Sequence, residues 1–164
     1  MNARIHAVKR TFTLTLPEAD HRSTIRVGLS LAIPSLVLIV LGGEHLLLYV
    51  VFGAFTGMYG RHELHRMRMR HQLHSALMLI AGVGIGAFLA AGHSPSGLLV
   101  AVECVFAGLA SLYSDRTGLR PSGPFFGIFA LGACASVPAE SPVMAITLAA
   151  ASARCAILFG TASW

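Results

Sequence analysis

The run RHELHRMRMRHQ, Arg61 to Gln72, passes directly into LHSALMLIAGVGIGAFLAA, Leu73 to Ala91, and this junction decides the architecture. Four arginines crowd the first segment, and the second contains no Asp, Glu, Lys or Arg. Nineteen such residues, at ~1.5 Å per residue in a helix, cover the ~30 Å of a bilayer's hydrocarbon. No stretch of about ten residues alternates apolar and polar positions as a barrel strand would, so the long apolar runs are helices. Basic residues abutting an uncharged run are what holds the start of a membrane helix at the cytoplasmic face.

Working outward, the same pattern recurs. The runs Thr24 to Gly43, Glu44 to Gly60, Gly97 to Tyr113, Pro121 to Val137 and Val143 to Trp164, with Leu73 to Ala91, make six spans of 17 to 22 residues. The joints are Gly42-Gly43-Glu44, the connector 61–72, Gly92 to Ser96, Ser114 to Arg120 and Pro138 to Pro142. The fifth span is the shortest in effect, because Pro121, Gly123 and Pro124 crowd its start, and a re-entrant segment is its alternative. Composition agrees: 55% of the 164 residues are hydrophobic, 12% are charged and the mean hydropathy is +0.71. So few charges cannot cover a soluble domain of this apolarity, and disorder is excluded for the same reason. The expected fold class is an all-α integral membrane bundle of six transmembrane helices, in two parts: a cytoplasmic tail, 1–23, and the helical domain, 24–164. Thr11 to Leu16 alternates for six residues and is expected on the cytoplasmic face.

Orientation follows from the twelve Lys and Arg residues. Eleven fall in the N-terminal tail and its junction, in the connector 61–72 or in the fourth joint (Arg116, Arg120), all on one side of a six-span chain. The positive-inside rule then places both termini of this multi-pass chain in the cytoplasm. The basic pI near 9.7 is thereby assigned to topology and to contact with membrane lipid; no nucleic acid partner is expected. Cys104, Cys134 and Cys155 lie in apolar runs without ligand spacing and are expected to be buried.

Small residues should bring helices close in lipid: Gly53 and Gly57, Gly82 with Gly84 and Gly86, Gly123 and Gly127, and the alanines of the last span. Pro34 frees the Ser30 carbonyl and should bend the first span. The twelfth basic residue, Arg154, and the acidic Glu103 sit inside spans, where a charge costs ~2.5–3.5 kcal/mol at the helix centre on insertion scales. Both are near their span midpoints, so similar depth is expected. Glu103 shares a face with Ala107, Ala110 and Ser111; Arg154 shares one with Thr147, Ala150, Ala151 and Thr161, and both faces are expected to point inward. Two readings stay open. One is a buried pair fixing bundle register; in the other, Arg154 and Thr147 bind an anionic substrate while Glu103 carries a proton.

In the connector, Arg66 and Arg70 are four apart and suit a cytoplasmic anion or lipid headgroup. The connector also has the simpler reading of a solvated basic segment enforcing topology. His62 with His65, and His71 with His74, are spaced as metal pairs, but Glu63 lies off their face and no metal or other cofactor is expected. No nucleophile triad, P-loop, dinucleotide fingerprint or HExxH occurs, so no enzyme is expected.

Ile25-Arg26-Val27-Gly28-Leu29, Leu48 to Ala54, the arginine-rich connector, Ala81 to Ala91 and Pro121-Ser122-Gly123-Pro124-Phe125-Phe126 together resemble the six-helix block of the fusaric acid resistance, or aromatic acid exporter, family, over about Arg22 to Gly160. More distantly, the chain is similar to the aluminium-activated malate transporters of plants. The resemblance implies proton-driven efflux of aromatic or other organic acid anions across the bacterial inner membrane, with Arg154 in the pathway. Such exporters carry two membrane blocks and a cytosolic domain, whereas this sequence holds one block, and the Gly-Thr that follows the connector arginine is replaced around Leu73-His74-Ser75. A homodimer or higher homo-oligomer, or a longer or accessory arrangement, is therefore implied. The alternatives to efflux are a passive anion channel and a non-transporting scaffold or accessory subunit.

Overall fold

A computed structural model describes residues 21–60, 63–120 and 122–161. The described residues are all-helical, with no strand: α1 (His21–Val40), α2 (Leu47–Ala54) framed by 3-10 turns at Glu44–Leu46 and Phe55–Met58, α3 (His65–Ala91), α4 (Ser96–Thr117), α5 (Phe125–Ala135) and α6 (Pro142–Thr161). Most of the tail 1–23, with the alternating Thr11 to Leu16, lies outside the described residues.

Three helices are long and apolar enough to cross a membrane by length and composition: Arg66–Ala91, Ser96–Thr117 and Pro142–Thr161. The other apolar helices, Thr24–Val40, Glu44–Met58 and Phe125–Ala135, are shorter than the six spans anticipated. The reasons are local. Gly123 has φ 97°, a left-handed conformation that ends any helix there, and Pro124 follows as N-cap, so α5 has 11 residues, about 16 Å at ~1.5 Å each. The second apolar run is interrupted by 3-10 geometry at both ends. The basic connector is helical from His65, which lengthens α3 to 27 residues. α1 continues through Pro34.

Interhelix contacts fix the directions. Gly82 lies on Gly127 and Gly86 on Leu131, so α3 and α5 run parallel. Gly84 meets Ile146 while Gln72 meets Gly160, so α6 runs against α3. His74 is hydrogen-bonded to Tyr113 at 2.5 Å, and Ile85 lines a groove with Val102, so α4 also runs against α3. Helices α3 to α6 therefore alternate.

Close approach depends on glycine at α2 and α3, as the small-residue spacing anticipates. A Cβ at Gly53 would lie 2.9 Å from the Ala149 carbonyl carbon, and one at Gly86 2.9 Å from the Cys134 Cβ. Gly123 instead forms the turn before α5, with open space around it. Ser152 on α6 donates to the Val50 carbonyl at 2.7 Å in the buried α2–α6 contact. Ser152→Ala should lower stability by about 0.6 kcal/mol, the usual size of such bonds in membrane bundles, measurable by SDS titration of refolded protein. Of the cysteines only Cys134 is buried; Cys155 is half-buried and Cys104 exposed, because its helix is barely covered.

That helix, α4, has only 6% of its apolar window buried. Val100, Val105, Leu109 and Leu112 on α4, Leu36, Val37 and Val40 on α1, and Val143 and Leu158 on α6 are all exposed. An outer surface this apolar is compatible with a lipid environment.

Candidate anion site at the arginine-bearing end

The end of the bundle where α3 begins and α4 and α6 finish is assembled by polar contacts. Arg68 forks across it: Nη1 donates to the Gly160 carbonyl and Nη2 to the Glu63 carbonyl, each at 2.9 Å. The Glu63 carboxylate pairs with Nδ1 of His71, and both side chains are largely buried. Gly118 caps α4 with φ 64°, a turn that glycine makes without strain. This turn carries the chain back so that the Gly60 N–H donates to the Arg120 carbonyl at 3.0 Å.

These links border an open groove of about 480 Å³ lined by the exposed Arg70 and Arg120 and by His71, Glu63, Thr117 and Gly118, with Leu64 and Met67 at its apolar side. One carboxylate, Glu63, lies beside the two guanidinium groups in this lining, and it contacts His71 rather than either of them. Among the described residues neither has a carboxylate partner. Two forked donors beside an apolar wall suit an anionic headgroup or carboxylate attached to a hydrophobic body.

Of the residues singled out from sequence, Arg70 lines this cavity; Arg66 is exposed and does not. Glu103 is half-buried on α4 and faces α5, where its carboxylate fills the space a side chain at position 132 would need. Arg154 and Thr147 are exposed on the outer face of α6, together with Ala151 and Leu158. The inward face of α6 is instead Ala145, Ala149, Ser152, Ala153, Ala156 and Gly160. Alanine occurs on both sides of this helix, so small neighbours do not identify its buried side.

Glu103 and Arg154 are also at different depths. By the α3 contacts above, Glu103 is level with Gly84 and Arg154 with Leu77, seven residues or about 10 Å apart. They form no ion pair, and the α4 face carrying Glu103 is turned toward α5 rather than α6.

Arg120, Thr117 and Arg68 did not stand out in the sequence as site residues. Arg120 entered only as a topology charge, and the signal that places it is the Thr117-Gly118 helix end, which reverses the chain toward Arg70. His71 and His74 are engaged by Glu63 and Tyr113 respectively; His62 and the side chain of His65 lie outside the described residues. Compared with known proteins, the chain matches no family model, no curated protein and no solved structure.

Proposed function

We propose that the chain is a multi-pass membrane protein, threading the bilayer six times with its arginine-bearing end in the cytoplasm, that moves small organic acid anions across the bacterial inner membrane. The observation that carries this reading is the groove holding Arg70 and Arg120, neither paired with a carboxylate among the described residues. Alternating helix directions and the exposed apolar surface support the threading. The charge distribution supports the orientation: Arg66, Arg68, Arg70, Arg116 and Arg120 gather at one end, while Glu44 and Glu140 lie at the other. The resemblance of the apolar runs to aromatic acid exporters supports the substrate class.

In this mechanism the anion enters from the cytoplasm onto Arg70 and Arg120, its hydrophobic body against Leu64 and Met67. Arg154, one to two helical turns deeper on α6, is the next positive group along the path, with Thr147 beyond it. Glu103 takes up the proton that links movement to the gradient. A homo-oligomer covers the exposed face of α6, because a lone arginine there would otherwise face lipid.

The test is benzoate efflux from proteoliposomes under an imposed pH gradient. Arg70→Gln and Arg120→Gln should each slow efflux about tenfold, the effect of one charge-assisted contact worth ~1.5 kcal/mol, and Glu103→Gln should remove the dependence on the gradient. Wild-type rates in both arginine variants would refute the site.

A further inference from the structure

Between α4 and α5 lies a second cavity, about 500 Å³, whose lining is apolar except for Glu103 and Ser136. Ser136 is committed to its own helix, donating to the Gly132 carbonyl at 2.8 Å. Glu103 is therefore the single ionisable group in the groove, and it has no ion pair or hydrogen bond among the described residues. The Glu103 carboxylate, the free end of a flexible side chain, lies in the space beside Gly132, against α5. Phe125 and Phe129 form the opposite wall with their rings nearly parallel, 7° apart in plane and 6.3 Å between centroids, and both are exposed to the groove's open side.

A carboxylate in so apolar a setting is costly as an anion unless a cation sits beside it. The nearest positive group on a membrane-length helix, Arg154, is about 10 Å away in depth and on another face. The groove offers one negative charge, two aromatic faces and room for a hydrophobic body, the combination that recognises an organic cation by ion pairing and cation–π contact together. We infer that the α4–α5 groove binds a hydrophobic organic cation, an aromatic or alkyl ammonium or phosphonium, on Glu103, with Phe125 and Phe129 against its rings. The positive charge of the ligand then neutralises the Glu103 carboxylate within the groove. This inference shares Glu103 with the proton coupling proposed above but not the anion contacts at Arg70 and Arg120.

Equilibrium dialysis of detergent-solubilised full chain against tetraphenylphosphonium tests it. Saturable binding is expected, weakened about tenfold or more by the near-isosteric Glu103→Gln and several-fold by Phe129→Ala, which keeps the carboxylate. Uncharged triphenylphosphine oxide should not compete. Absence of saturable binding to wild type, or equal binding by Glu103→Gln, overturns the proposal. So does binding that appears only in Arg154→Gln, since the groove would then be filled by the arginine of a second copy. Benzoate efflux through Arg70 and Arg120 is measured separately, so either idea can fail alone.

Discussion

Gly53→Leu is expected to leave little folded protein. A Cβ at this position lies 2.9 Å from the carbonyl carbon and 3.0 Å from the Cα of Ala149, and both are backbone atoms on the buried face of α6, which cannot swing aside as a side chain can. Relief requires α2 to move off α6, which also breaks the Ser152 bond to the Val50 carbonyl. Overpacking of a tight core costs about 1–3 kcal/mol for an added methylene or two, and a whole leucine against backbone exceeds that range. Where the total stability lies near the low end of ~5–15 kcal/mol, a loss of about 5 kcal/mol removes most of the folded population. Gly86→Leu, which meets the Cys134 Cβ at 2.9 Å and the Ala135 nitrogen at 3.1 Å, should behave similarly. Gly108→Leu and Gly97→Leu are the controls: nothing lies within 4 Å of either glycine, and both should stay within ~0.5 kcal/mol of wild type. SDS titration and gel filtration of the four variants make the comparison. Equal behaviour of Gly53→Leu and Gly108→Leu would show that α2 does not approach α6 as closely as drawn.

That contrast also marks what the amino-acid string discloses. Apolar runs separated by glycine, proline and arginine locate all the described helices, because lipid-like length and a missing charge are local properties. Small residues at four-residue spacing point to close contacts at Gly53, Gly82 and Gly86 for the same reason. Which side of a helix is buried is not local here. In a water-soluble bundle the apolar side faces in, but on α4 and α6 apolar residues occupy every side, with Leu109 and Leu158 exposed and Ala110 and Ala156 buried. Arg154 was accordingly turned inward on the strength of alanine neighbours that occur all around its helix.

Depth was misjudged for a related reason: midpoints of apolar runs do not report register, which is set by contacts such as Gly84 on Ile146. The candidate anion site was half legible. Arg70 was visible as a charge on a helical face, but its partner Arg120 is fifty positions away and comes near only because Gly118 reverses the chain. No spacing rule encodes a pair joined by a turn and an intervening helix hairpin.

The brace around that site makes the second large effect. Arg68→Met should cost about 3 kcal/mol, two charge-assisted hydrogen bonds taken at the low end of ~1.5 kcal/mol each. Methionine keeps much of the aliphatic stem, so packing against Gly60 is largely preserved and the loss reports the guanidinium. Without it the Gly160 carbonyl at the end of α6 and the Glu63 carbonyl lose their donors together. Glu63 then keeps only its N–H bond to the Gly60 carbonyl and its contact with His71, and this wall of the cavity loosens. Arg68→Lys separates charge from shape. An ammonium keeps the positive end intact but cannot reach two carbonyls five and ninety-two positions away in one planar fork, so it should recover less than half of the lost stability. Benzoate efflux should fall in both variants even where Arg70 and Arg120 are untouched, since the turn from Gly60 to Glu63 that Arg68 anchors also donates, through the Gly60 N–H, to the Arg120 carbonyl. Full stability and full flux in Arg68→Met would mean that the ends of α3 and α6 are joined by something other than this side chain.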